Sequence, residues 1–306
     1  MRIFFLDQSN KLGGAELCLA DIAGHVSQTC LVGVFSDGDF PDYLRGKNIP
    51  VAVLAESSLA VRKQSGAMAG LKSLNRLVPL IAKATQLGKH SDLTYANTQK
   101  ALVVGAIASL LNHQPLVYHL HDIVSAEHFS PINRRIIVAL ANRAALIIAN
   151  SEASRTAFIA AGGRADRVHV VYNGFSPADY EVAADHRSRL RRSLPWDDCF
   201  IVGHFSRLSP WKGQHVLLEA LSHCPENVVA LLVGDALFGE ESYREQLHQQ
   251  VQRLGLEHRV KFLGFRSDIP ELMTACDLEV HTSTAPEPFG RVIVEGMLCQ
   301  RPVVAA

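Results

Sequence analysis

The six cysteines of this sequence suggest no pairing. They stand at positions 18, 30, 199, 224, 276 and 299, without any C-x-x-C spacing. That argues against thiolate zinc sites and a disulfide framework, and fits a reducing compartment. No strand-like run leads into G-x-G-x-x-G, which disfavours a dinucleotide oxidoreductase. No apolar run is long enough to span a bilayer: the longest, residues 101–111, reaches about half the required length. Charge of one sign is not in excess either. Thirty Lys and Arg balance thirty Asp and Glu, a formal net charge of zero, so the whole chain has no electrostatic bias toward nucleic acid. Low-complexity tracts and internal repeats are lacking. The opening MRIFFLDQSN has one Arg and a short apolar run closed by Asp7. It reads as a strand, not as a signal peptide.

What is present is length, apolar content and rhythm. With 306 residues, 48% of them hydrophobic, the chain can build two domains of ordinary size, each with its own core. Short β-branched runs at 3–6, 30–35, 51–54, 93–95, 116–119, 146–149 and 168–171 alternate with helical patterns such as 15–26, 67–87, 100–111 and 153–161. This alternation predicts a parallel sheet covered on both faces. The rhythm stops in a polar stretch with Pro177, Pro195 and the basic cluster Arg187, Arg189, Arg191 and Arg192. It resumes with strands at 200–205, 228–233, 260–263 and 278–281. The expected architecture is α/β: two Rossmann-like parallel-sheet domains, 1–176 and 199–306, facing a cleft and joined by a linker, 177–198, with a short helix. Such sheets bind ligands outside the carboxyl ends of their strands.

Three features invite functional readings that weaken on inspection. Residues 57–91 carry Arg62, Lys63, Lys72, Arg76, Lys83 and Lys89 and no acid, with Leu71, Leu74, Val78 and Ile81 on one helical face. This suits a peripheral helix on an anionic membrane. An ordinary domain helix with a solvated basic face suits it as well, and is the commoner pattern. Asp37-Gly38-Asp39 mimics a metal-binding Asp-x-Asp, but lies in a turn-rich SDGDFP run. Fourteen histidines offer no complete ligand set, so no metal is expected.

Two phrases in the second half carry chemistry. In Phe205-Ser206-Arg207-Leu208-Ser209-Pro210-Trp211-Lys212-Gly213, Arg207 and Lys212 share one strand-to-helix loop. A guanidinium fork and a point-charge ammonium suit a pyrophosphate. In Glu287-Pro288-Phe289-Gly290, followed by Glu295, a helix is expected to start after Gly290. Its N–H groups would attract an anion, and Glu295 would lie more than a turn further on. Taken singly, each phrase also fits solvated loop charges.

Together they resemble the donor site of glycosyltransferase family 4, the retaining GT-B enzymes. The resemblance extends over nearly the whole chain. Gly13-Gly14-Ala15-Glu16 looks like the family's first glycine-rich loop, and His119-Leu120-His121-Asp122 like its His-Asp strand end. Asn150-Ser151 and Tyr172-Asn173-Gly174 match further landmarks.

The resemblance implies that Gly13 and Gly14 let backbone approach the donor, that Arg207 and Lys212 hold its diphosphate, and that Phe289 and Gly290 line its site. It further implies that Glu295 binds ribose and Glu287 sugar hydroxyls. His121 would stand beside the anomeric carbon, with Asp122 and Asn173 as further candidates. The expected activity is hexosyl transfer from a nucleotide diphosphate sugar to a glycan, lipid or small-molecule acceptor. Retention of configuration is expected, with no cofactor or metal, in the cytoplasm or at the inner face of a membrane. A GT-B sugar-nucleotide epimerase and a silent nucleotide-sugar-binding module are the alternatives. Family members typically continue beyond a strand such as 302–306, so the second domain is expected to be incomplete.

Overall fold

The computed structural model describes residues 1–55, 67–196, 198–237 and 239–306, with backbone alone over 67–76 and at 184. Two compact units result, Met1–Gly174 and Phe175–Ala306. The first runs β1 (Ile3–Asp7), α1 (Gly14–His25), β2 (Cys30–Val34), α2 (Asp39–Gly46), β3 (Val51–Val53), α3 (Ala67–Gly88), β4 (Leu93–Ala96) and α4 (Gln99–Asn112). It continues through β5 (Leu116–Leu120), α5 (Pro131–Ala141), β6 (Leu146–Ala149), α6 (Glu152–Ala160) and β7 (Val168–Val170). Every pairing is parallel, in the order β3-β2-β1-β4-β5-β6-β7. The strands are nearly continuous apolar runs because both faces are covered. Phe4, Leu6, Leu102, Tyr118 and Ile147 fill one layer, and Phe5, Leu19, Val32 and Phe40 the other.

The second unit runs α7 (Ala184–Ser193), β8 (Phe200–Phe205), α8 (Gln214–Ser222), β9 (Val228–Val233), α9 (Glu241–Arg253) and β10 (Val260–Gly264). It ends with α10 (Ile269–Ala275), β11 (Leu278–His281), α11 (Arg291–Leu298) and β12 (Val303–Ala305). Its parallel order is β10-β9-β8-β11-β12. Both sheets therefore change direction beside their first strand, between β1 and β4 and between β8 and β11. Outside the carboxyl ends at such a reversal the connections diverge and leave a crevice.

Several details depart from the sequence reading. The strand positions agree to within about a residue, but α2, α5 and α10 are additional, each begun by or carrying a proline near its start. The short helix expected in the linker is α7, and it belongs to the second unit, to which charge pins it. Arg187 and Arg191 donate to the two carboxylate oxygens of Asp277, at 2.6 and 2.8 Å. Asp277 also accepts the Ile201 N–H at 2.8 Å.

The basic segment 57–91 falls partly outside the described residues. In its described part Leu80 and Ala84 are buried, with Leu77, Ile81 and Leu87 packed against the same core, and Val78 is 60% exposed. Of the expected face, Ile81 therefore packs inward and Val78 does not, while Leu71 and Leu74 lie outside the described side chains. Lys83 donates to the Val53 carbonyl. No helix among the described residues is long and apolar enough to cross a membrane. Asp37 pairs with Arg45 at 2.9 Å, and Asp39 opens α2, as suits a turn.

Asp277 gathers three donors from α7 and β8, so Asp277→Ala should remove the charge partner of two guanidinium groups, leaving them backbone carbonyls alone, and the acceptor of the Ile201 N–H. A loss of about 1–3 kcal/mol is expected in chemical denaturation. An unchanged midpoint would show that α7 is not held in place by these bonds.

Candidate active site

In the second unit, β8 ends at Phe205 and the chain turns through Ser206–Gly213 into α8. Two glycines let this loop lie flat on its neighbours. Gly213 has φ +72°, and a Cβ there would sit 1.8 Å from the Thr282 carbonyl oxygen; Gly234, at φ +134°, would press a Cβ to 2.0 Å from the Ser206 carbonyl oxygen. Gln214 fastens the loop from below, donating to Ser206 Oγ and the Arg207 carbonyl. Thr282, just past β11, donates to the Gly213 carbonyl at 2.8 Å. The loop is thereby tied across the reversal between β8 and β11.

Its cations are paired, with Lys212 largely buried and Arg207 partly exposed. The Lys212 ammonium donates to Glu287 at 2.5 Å, with both side chains largely buried. It lies 4.2 Å from the centre of the Trp211 ring, and the Arg207 guanidinium lies over the same ring. Arg207 stands 4.0 Å from Glu240, which accepts from Ser209. Burial lowers the Lys212 pKa, opposed by Glu287. Burial alone would raise Glu287. The His281 hydrogen bond and Lys212 outweigh it and hold the carboxyl at about 2. Ser283 donates to the same oxygen at 3.1 Å. Glu287 is thus a fully ionised, firmly oriented carboxylate.

After it, Gly290 at φ +75° caps α11. Phe289 stacks on Phe175 at 6.2 Å, and the Arg291 guanidinium covers that Phe175 ring. Glu295 accepts from Arg291 at 3.1 Å and from Tyr180 at 3.3 Å. Beneath it Glu279 is buried and pushed up to about 8, first by burial and then by Glu295.

In the first unit, Gly13 and Gly14 begin α1 directly above the end of β1. A Cβ on Gly13 would meet the Glu16 carboxylate at 2.7 Å. His121 follows β5 and bonds Asn97 at 2.9 Å. Asp122 accepts from Gln99 at 2.8 Å, and Asn173 accepts from the Cys18 thiol at 3.3 Å. The candidate residues thus fall into two groups, one in each unit. Asp7, Asn97, His281, Ser283 and Glu240 were missed. The signal for Asp7 and Asn97 was a polar residue closing an apolar strand.

Cys18, His119 and His121 bring ligand-type atoms within 4.8 Å of one another. Two imidazoles on one tetrahedral ion, with bonds of about 2.1 Å, would hold their ring centres roughly 5 Å apart. Here the ring centres lie 3.8 Å apart with their planes tilted by 39°, and burial holds His119 at about 4.

The sequence profile described as Glycosyltransferase Family 4 matches residues 12–179, and that of the group 1 glycosyl transferases matches residues 186–306. The chain belongs to glycosyltransferase family 4. Its GT-B fold is shared with the Anabaena protein Alr3699/HepE, solved in complex with UDP and glucose. That protein is 59% identical over 100% of this chain and 80% of its own, with a TM-score of 0.92. The lipopolysaccharide core biosynthesis glycosyltransferase LpsE of Rhizobium meliloti is 37% identical over 135 residues, 44% of this chain. An uncharacterized glycosyltransferase of Methanocaldococcus jannaschii is 32% identical over 146 residues, 46% of this chain. Each match takes in 36% of the relative's length. The family 4 phrases identified in the sequence lie within these matched regions.

The acids under the glycine loop have a pH signature. Burial, reinforced by the Asp7 charge, raises Glu16 from 4.5 to about 8. Burial raises Asp7 to about 6, against bonds from Ser9 and Asn97. A carboxyl with a raised folded pKa stabilises the fold at low pH, and that contribution is lost as pH rises through the folded value. The Glu16 contribution should therefore decline between pH 4.5 and about 8. Thermal midpoints of the parent should fall across that window, and Glu16→Gln should flatten the fall. Equal slopes in both proteins would mean that Glu16 is not held protonated.

Proposed function

We propose that this protein transfers a sugar from a UDP-sugar to an acceptor hydroxyl, with retention of anomeric configuration and without a divalent metal. The observation that carries the reading is the buried pair Lys212–Glu287, with Arg207 beside it, at the reversal between β8 and β11. A lysine kept dry against an ionised carboxylate is poised to exchange part of that partner for phosphate oxygens. The choice of uridine is supported by the resemblance to Alr3699/HepE, which was also solved in complex with UDP-glucose.

In this reading the bond between the anomeric carbon and the diphosphate breaks as negative charge gathers on the leaving oxygens. Arg207, Lys212 and the N-terminal N–H groups of α11 offset that charge. Glu287, still held by His281 and Ser283, accepts hydroxyl hydrogens of the sugar. Glu295 accepts from the ribose, with Phe289 and Gly290 shaping the adjoining wall. Gly13 and Gly14 admit the donor on the side of the first unit, where His121 meets the reacting sugar and Asp122 and Asn173 lie nearby. Attack from the face of the departing phosphate, which takes the acceptor proton, gives retention.

Calorimetric titration with UDP tests the cations. Lys212→Ala should weaken binding roughly ten- to hundredfold, corresponding to a charge-assisted bond of about 1.5–3 kcal/mol. Arg207→Lys should also weaken it, because the fork is lost. Unchanged affinity in both variants would put the diphosphate elsewhere.

UDP release from UDP-glucose should persist in excess chelator, since fixed cations supply the charge that a metal supplies in other transferases. Complete inhibition reversed by magnesium or manganese would refute the metal-free reading.

A further inference from the structure

The carboxyl ends of β1, β4 and β5 are joined by a chain of buried polar groups that ends on His121. Asn97 is fully buried just past β4. Its Nδ2 donates to Asp7 Oδ2 at 2.7 Å and to the Ala15 carbonyl at 3.0 Å, and its Oδ1 faces His121 Nε2 at 2.9 Å. The orientation of this amide is fixed by chemistry. The Ala15 carbonyl can only accept, whatever the protonation of Asp7, so the nitrogen must face it. Flipping the amide would set its oxygen against the Ala15 carbonyl oxygen and leave that carbonyl without its N–H donor. The amide oxygen, in turn, can only accept, so His121 must present an N–H at Nε2. A neutral imidazole protonated there carries its lone pair on Nδ1.

We propose that Asn97 is a positioning residue that locks His121 in the Nε2–H tautomer, so that Nδ1 serves as the acceptor for a hydroxyl of the donor sugar. The role of His121 beside the sugar rests on the function proposed above; the tautomer and its cause do not. The polarity starts at Asp7 and Ala15, passes through one amide and ends at the ring. The Ala15 carbonyl belongs to the first turn of α1, so the same amide also joins the glycine loop to the histidine.

Two readouts separate this inference from the functional reading. Long-range 1H–15N correlation spectra of the parent protein at neutral pH report the tautomer directly, with His121 assigned by the signals lost in His121→Ala. The expected result is a single Nε2–H species, and an Nδ1–H species would overturn the proposal. In Asn97→Ala, or in the smaller polar variant Asn97→Ser if the first does not fold, the His121 signals should move toward a mixture of tautomers.

Kinetics on UDP-glucose, followed by UDP release, should show kcat lowered about tenfold or more with KM changed less than about threefold. Misplacing a group at the reacting centre costs turnover before it costs binding. A folded variant that keeps the parent tautomer and the parent kcat would remove Asn97 from the role. If the parent shows the Nε2–H form but no turnover of UDP-glucose, the tautomer lock stands and the assigned donor fails.

Discussion

A parallel sheet that winds outward in both directions from one strand cannot cover the carboxyl end of that strand. The helices that follow go to opposite faces, and the backbone between them is left facing a gap. The tightest polar clusters among the described residues lie at that gap in each unit. In the first unit the gap lies between β1 and β4, and Asp7 and Asn97 are the residues that end those strands or directly follow them. In the second it lies between β8 and β11, and is bridged by the bond from Thr282 to the Gly213 carbonyl. A polar residue at either gap is held in place by neighbours on two diverging connections. Rigid placement of this kind is what a reacting group needs.

The two gaps are filled by opposite electrostatic solutions. At the loop of the second unit, charge is kept and paired: a buried ammonium faces a carboxylate, and the carboxylate is held by two further donors. In the first unit charge is suppressed. Asp7, Glu16 and His119 are buried, and their pKa values are displaced toward the neutral form. Desolvation explains both, because a buried charge survives only where a partner offsets its lost hydration. The paired side suits an anion that arrives and leaves. The neutral side suits a sugar, whose hydroxyls need donors and acceptors but no net charge.

Much of this was legible in the sequence because it depended on period and punctuation. Apolar runs of four to six residues marked the strands, and Gly213 and Gly290 marked the turns into helices. The short helices α2, α5 and α10 were less legible; their apolar faces are brief and their prolines read as breakers, although a proline in the first turn is compatible with a helix. On α3, Ile81 of the expected face packs inward while Val78 is exposed, because position 78 lies just outside the core-facing stripe around Leu80 and Ala84. Packing against α4 sets where that stripe ends. The pairs Lys212–Glu287 and Asn97–His121 join residues 75 and 24 positions apart. Spacing along the chain cannot show such contacts, whereas the topology requires them to be close.

The chain has two tryptophans, and their surroundings differ sharply. Trp196 is sealed in the apolar core of the second unit, with its N–H on the His258 carbonyl. Trp211 lies on the surface loop, with Lys212 and Arg207 against its ring. The emission of an indole shifts with the charge at its face. One chromophore is therefore insulated from events at the loop, while the other is wired to its cations. The fold thus contains an internal optical standard and an optical sensor, with no label needed to follow an anion settling on the loop.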